Sequence, residues 1–359
     1  MKAAMQHRGF MVYPGQHSHA RRAAGCKTKA ELLAEGVPTE AGAETTADAE
    51  ARFATLCAKW MRSEYGANSV MPTVRPGYLE AVVAAYVAAG LYVLPYVQGD
   101  FYFDGERACK EGWTEATIDK LIDDFVAYTD AFRQYGDRII GVCVTEEAEI
   151  WDRELDAEGK AVCKPRIIHP LLRRYWKGIK ARTPWPVFVI MPGYRPYLES
   201  FAALPDDERP DVYLVETYAP LTIDGVPRNG YPDVDAMMDW SENELAAAQE
   251  MLADKIEVGH LPFVAGITLE DLTGIGAERP CAPGYYKEQL HAFNGRYQFG
   301  WLGIQVNGSR FVGVRDQNYQ TTPIGIELQQ CWMAEEPQDP FWVRMWNLLR
   351  RIIRWLTRR

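Results

Sequence analysis

Three glutamates of this chain stand at or beside the ends of strand-forming runs, where a carboxyl group is held by rigid backbone yet opens onto a loop. Glu146 follows Ile139-Ile-Gly-Val-Cys-Val-Thr145, with Glu147 and Glu149 just beyond it. Glu216 lies near the end of Val212–Thr217, and Glu270 closes Gly266-Ile-Thr-Leu-Glu270. Two carboxyl groups facing one bond can divide the labour of breaking it. One, held protonated, donates to a leaving oxygen, and the other, ionised, attacks carbon or activates water. Rigid supports fix the separation on which that division depends.

The elements that would supply such supports are legible from periodicity. A continuous apolar run such as 139–145 marks a strand buried on both faces, the pattern of a parallel sheet. Strands are expected over Gly9–Tyr13, Ser69–Val74, Leu91–Val97, Ile139–Thr145, Val187–Met191, Val212–Thr217, Phe263–Thr268 and Phe299–Val306, with a helical pattern after nearly every one. Phe53, Leu56, Cys57, Trp60 and Met61 share one helical face. Tyr78–Ala89 ends at Gly90, suited to a left-handed C′ position, and Thr114 caps a helix whose face carries Ile118, Leu121, Ile122, Phe125 and Phe132. Further helices are expected over Leu171–Ala181, Tyr197–Leu204, Ser241–Lys255 and Tyr285–Asn294. Asp156-Ala-Glu-Gly159 suits the turn of a small hairpin. Eight strand–helix units favour a single (β/α)8 TIM barrel over residues 1–359, with long βα loops. An open doubly wound sheet would show a Gly-rich phosphate turn after its first strand, where this chain has Pro14-Gly15-Gln16-His17.

In a barrel the C-terminal strand ends converge on one mouth. In chain order they bring Tyr13 and His17; Arg75; Gln98 and Asp100; Glu146 and Glu147; Met191 and Tyr194; Glu216 and Tyr218; Thr268, Glu270 and Asp271; Gln305 and Asn307. Alternation expects Val144, Val142 and Ile140 to point inward with Glu146, Leu214 and Val212 with Glu216, and Thr268 and Gly266 with Glu270. No Lys ends a strand, which argues against Schiff-base chemistry. His17-Ser-His19 is similar to the His pair of barrel amidohydrolases, but the fifth and sixth strands end in Met191-Pro-Gly and Glu216-Thr-Tyr, without His. A His-rich metal site is therefore not expected.

What remains, an acidic, aromatic and amide-bearing mouth, fits glycoside hydrolysis, and here the chain resembles (β/α)8-barrel glycoside hydrolases. The resemblance covers most of the chain as architecture and two or three residues as motif. It implies an acid/base Glu at the end of strand four, here Glu146 with Glu147 as the alternative, and a nucleophile at the end of strand seven, here Glu270. Glu216 is an equally good second carboxylate by position, so the partner of Glu146 stays open between Glu216 and Glu270. The large retaining clan has Asn before its acid/base Glu; this chain has Thr145. The resemblance further implies an oligo- or polysaccharide substrate, no cofactor, and substrate contacts from Asp100, Glu147, Trp151, Tyr218, Gln305 and Asn307. Two other readings stand beside it. One is a non-catalytic carbohydrate-binding barrel; the other is a divalent-metal lyase or isomerase using Asp100, Glu146, Glu216 and Glu270 as oxygen ligands.

Composition narrows the partners. A net charge of −10 argues against a general nucleic-acid surface. The seven cysteines form no Cys-x-x-Cys pair, so neither a zinc knuckle nor a redox motif is indicated, and Cys143 reads as a small core residue. The N-terminus lacks the apolar core of a signal peptide, which favours the cytoplasm. At the other end Asp339 and Pro340 begin a helix whose stripe of Phe341, Trp342, Met345, Leu348, Leu349, Ile352, Ile353 and Leu356 lies opposite a basic face. Residues 341–359 hold six Arg and no acid. They read as the eighth barrel helix or as a basic amphipathic appendage for a membrane surface or partner.

Overall fold

The strands that carry Glu146 and Glu216 belong to one parallel sheet with two buried faces, which is why their sequences are apolar almost throughout. The computed structural model describes residues 7–12, 47–74, 76–97, 103, 108, 111–146, 153–155, 161–163, 169–193, 195–218, 222–223, 226–227, 234–263, 299–302, 326 and 329. The strands, in chain order, are β1 (His7–Val12), β2 (Ser69–Val74), β3 (Tyr92–Val93), β4 (Tyr96–Val97) and β5 (Val142–Glu146). They continue as β6 (Arg153–Leu155), β7 (Ala161–Cys163), β8 (Val187–Pro192), β9 (Val212–Tyr218), β10 (Thr222–Ile223), β11 (Val226–Pro227), β12 (Glu257–Phe263) and β13 (Phe299–Leu302). The main sheet runs β1-β13-β12-β9-β8-β5-β4-β2-β3, all parallel, and β1 also pairs with β2. The sheet thus curls until its first strand has a neighbour on each side. With helices between most of its described strands, this is an α/β architecture consistent with the TIM barrel.

The helices are α1 (Ala47–Tyr65), α2 (Pro76–Ala88), α3 (Glu115–Thr129), α4 (Pro170–Arg182), α5 (Arg195–Ala202) and α6 (Val234–Leu252). Their apolar stripes and the outward strand residues form the larger core cluster; α4, for example, buries Leu172, Tyr175, Trp176 and Ile179 at helical spacing. A second, smaller cluster fills the inside of the sheet with Met11, Met71, Leu94, Tyr96, Cys143, Phe188, Ile190, Val212, Leu214 and Leu261. Along β8 the alternation is clean: Phe188 and Ile190 face in, while Val187, Val189 and Met191 face the helices. Outside, Arg174 of α4 reaches Glu115 and Asp119 of α3 at 3.0 and 2.7 Å. These are exposed pairs, each worth about 0–1 kcal/mol.

Several expectations hold and several are corrected. β2 matches Ser69–Val74, Gly90 adopts a left-handed φ of 82°, and Thr114 caps α3 with its side chain accepting from the Thr117 N–H. The hairpin around Asp156–Gly159 exists as β6 and β7, paired antiparallel. The strand expected over Leu91–Val97 is two short pieces, because Pro95 between them has no N–H to give a ladder. The seventh barrel strand starts at Glu257, well before the expected Phe263. Glu257, Gly259, His260 and Pro262 hide it from propensity, and ordering comes instead from seven residue pairs with β9. The hairpin of β10 and β11 was not expected, although Asp224-Gly225 between them is a hairpin turn signal. The helices expected over 285–294 and 341–359 lie outside the described residues.

Candidate active site

Glu146 is aimed by a defect in its own strand. Cys143 pairs with Phe188 and Thr145 with Val189, so the register slips between them and Val144 is left over as a bulge. Cys143 faces inward, Val144 packs in the outer cluster, and Thr145 points outward too, where its hydroxyl accepts from Trp176 Nε1 at 3.2 Å. Two consecutive outward residues reverse the phase, and Glu146 faces in, opposite Ile190. This corrects the expected alternation. Ile140 does pack on the inner cluster, but Val142 and Val144 belong to the outer one. Thr145, where the resembling clan has Asn, is turned away from the mouth as the anchor of the bulge.

Inside, the Tyr96 hydroxyl donates to Glu146 Oε2 at 3.0 Å. Tyr96 is fully buried and belongs to the inner cluster, as its two-residue spacing from Leu94 would place it. The alternation within Leu91–Val97 is the sequence signal that would place it there.

Glu216 needs no defect to face inward. Leu214 and Val212 precede it on the inner face of β9, as expected, and its register neighbours are Pro192 on β8 and Leu261 on β12. It is 2% exposed. Only β8 separates β9 from β5, which sets the two strands about 10 Å apart. Since Glu146 is level with Ile190, and Ile190 with Leu214, Glu216 stands one inward position further towards the C-terminal rim. Burial pushes the Cys143 thiol well above its ordinary range and the Glu146 charge pushes it further; the Thr145 backbone opposes this, Glu216 adds to it less, and the Val144 backbone opposes it least.

The rim next to Glu216 is tied down. The Tyr213 hydroxyl donates to the Pro192 carbonyl at 2.8 Å, and the Gly193 N–H donates to Glu244 of α6 at 3.3 Å. Neither contact was foreseen from sequence. Tyr218 ends β9. Asp100, Glu147, Trp151, Glu270, Gln305 and Asn307 lie outside the described residues, as do His17 and His19. Among the described residues no group of three or more His, Cys, Asp or Glu could hold a metal ion, and no helix is long and apolar enough to cross a membrane.

No protein family description matches the chain. Among curated proteins, gamma-glutamyl phosphate reductase of Synechococcus sp. (strain CC9605) is 35% identical over 89 residues, 23% of this chain. The chain spans about a fifth of that relative's length (20%), too little to show a family. Solved structures resemble it over nearly its whole length. A broad-specificity endoglucanase of Clostridium longisporum superposes with a TM-score of 0.54 at 12% identity, covering 93% of this chain and 97% of the other. A second, of Clostridium cellulovorans, gives 0.51 at 15% identity, covering 92% and 94%. Bacteroides uniformis beta-glucuronidase gives 0.55 at 12% identity, with 93% of this chain matching 36% of that longer protein. At these identities the likeness is one of fold.

Proposed function

We propose that this chain is a glycoside hydrolase acting on an oligo- or polysaccharide, with Glu146 and Glu216 as its pair of carboxyl groups. One observation carries the reading: two glutamates, on strands β5 and β9 with only β8 between them, both face the inside of the sheet. Hydrolysis of a glycosidic bond needs two carboxyl groups flanking that bond. Likeness of fold to barrel glycosidases supports the same reading. In this proposal the single barrel domain includes residues 341–359 as its eighth helix. The segments 98–113, 146–170, 217–240 and 307–333 build an extended cleft that offers Asp100, Glu147, Trp151, Tyr218, Gln305 and Asn307 to the sugar. Glu270 is the rival of Glu216 for the second place.

The test is hydrolysis of a panel of aryl glycosides and soluble polysaccharides by the full chain and by Glu146→Gln, Glu216→Gln and Glu270→Gln. Loss of a general acid or base lowers turnover by roughly 100- to 10,000-fold. Glu146→Gln is expected in that range with an unchanged melting temperature. Full activity of this variant removes the assignment, and an inactive Glu270→Gln beside an active Glu216→Gln transfers the second role to Glu270.

A further inference from the structure

Three consecutive residues at the end of β8 are each held from the outer side of the sheet. Met191 Sδ accepts from the Tyr197 hydroxyl of α5 at 2.8 Å. The Pro192 carbonyl accepts from the Tyr213 hydroxyl of β9 at 2.8 Å, and the Gly193 N–H donates to Glu244 Oε2 of α6 at 3.3 Å. The last two contacts meet on one chemical unit, because the Pro192 carbonyl and the Gly193 N–H are the two ends of a single planar peptide. With both ends held, that plane cannot turn without breaking a buried hydrogen bond, and the proline ring already fixes the φ before it. Gly193 lets the helix come close enough to do this. A Cβ there would lie 2.6 Å from Glu244 Cβ and 2.8 Å from the Glu244 carbonyl oxygen. Glu244 and Tyr213 are both buried.

β8 is also the strand that separates the two candidate carboxyl groups. Its Ile190 is level with Glu146 and its Pro192 with Glu216. A tilt of the Pro192–Gly193 peptide therefore acts at the Glu216 end of the pair. Misplacement by about 1 Å in such a constellation can cost about 100-fold in rate. We propose that Glu244 is a positioning residue, which together with Tyr213 locks the last peptide of β8 and so sets where Glu216 stands relative to Glu146. This rests on the glycosidase reading, in which those two groups flank the bond that breaks. Glu244 acts from the helix layer, through backbone, and not on the sugar itself.

The test pairs turnover with the exchange of one amide proton. Hydrogen exchange of the Gly193 N–H in the full chain is read by nuclear magnetic resonance with isotope-labelled proline and glycine. Glu244→Ala should speed that exchange by at least about tenfold, whereas Glu244→Gln, whose amide oxygen still accepts, should leave it within about threefold. On the glycoside that the natural chain cleaves fastest, Glu244→Ala should lower kcat by about 10- to 100-fold with KM within about twofold, and Glu244→Gln should restore most of the loss. Tyr213→Phe frees the other end of the same peptide and should also lower kcat. Because either release frees the peptide, the double variant should fall no more than about threefold below the slower single variant. A freed Gly193 with unchanged kcat overturns the positioning role, as does a loss carried by KM alone or a Glu244→Gln that protects Gly193 without restoring turnover. Losses that multiply in the double variant overturn the shared peptide, and a Gly193 N–H that exchanges in the natural chain at the unfolded rate removes the bond itself. Should Glu244→Ala not fold, Tyr213→Phe decides: a loss in kcat alone supports the proposal and an unchanged kcat overturns it. If the natural chain cleaves no glycoside while Glu244 still protects Gly193, the glycosidase reading falls and the catalytic role with it, and the lock on the peptide stands.

Discussion

The bulge that aims Glu146 is held by one buried hydrogen bond, and a double-mutant cycle can weigh it. Trp176 Nε1–H donates to Thr145 Oγ1 at 3.2 Å, with Thr145 and Trp176 both fully buried. Thr145→Val keeps the shape of the side chain and removes the acceptor. The lost bond and the indole N–H left in an apolar setting cost about 1–3 kcal/mol, offset by about 1 kcal/mol for burying a methyl group where the hydroxyl was. The net is a loss of about 1–2 kcal/mol, or roughly 2–6 °C in melting temperature for a domain of this size class. Trp176→Phe should cost about 1–3 kcal/mol from lost volume. Once the indole is gone, Thr145→Val should be nearly neutral, giving a coupling of about 1 kcal/mol. Urea unfolding followed by circular dichroism supplies the four stabilities. The same variants should lose about tenfold in turnover, the equivalent of about 1.4 kcal/mol, as the phase of Glu146 loosens. Additive effects, with coupling under about 0.3 kcal/mol, would show that this bond does not hold the bulge.

Two further outcomes follow from the closing seam and from His7. A Cβ on Gly9 would lie 2.1 Å from the Ser69 carbonyl oxygen, which is backbone of the adjacent strand and cannot swing away. Gly9→Ala should therefore lower stability by at least about 1–3 kcal/mol, and a melting temperature within about 1 °C of the natural chain contradicts the register of β1 on β2. Burial lowers the His7 pKa from 6.5 to about 4. The unfolded chain then takes up the proton first on acidification. Stability is full above about pH 6.5 and is lost towards pH 4, on the order of 1.4 kcal/mol for each pH unit crossed. His7→Gln should flatten the dependence in that window, and an identical slope assigns the acid sensitivity to other groups.

How much could be read in advance depended on whether the period of two ran unbroken. On β9 it does, and Val212, Leu214 and Glu216 fall on the inner face as alternation requires. On β5 the same rule fails within three residues, because Val144 and Thr145 both face the helices and nothing local in a Val-Cys-Val-Thr run marks which residue will be extra. Pro95 did carry a signal, since a residue without an N–H must interrupt a ladder, and Tyr96 beyond it keeps the phase of Leu94. β12 was displaced in the expected map because Gly259 and Pro262 are poor strand formers; its long pairing with β9 overrides them. Glu270, named from its position at the end of a seventh strand, lies beyond the described end of β12 at Phe263.

The leftover residue on β5 also has an evolutionary meaning. Skipping Val144 would leave Cys143, Thr145 and Glu146 alternating as in an ordinary strand, with the carboxylate still turned inward. The bulge therefore behaves like a one-codon insertion that the strand has absorbed without giving up its glutamate. A barrel descended from the same ancestor without that codon would align with this chain only across a gap of one. Matched without the gap, its inward glutamate would fall opposite Thr145, and the shared ancestry of the two sites would be invisible at the one position where it matters.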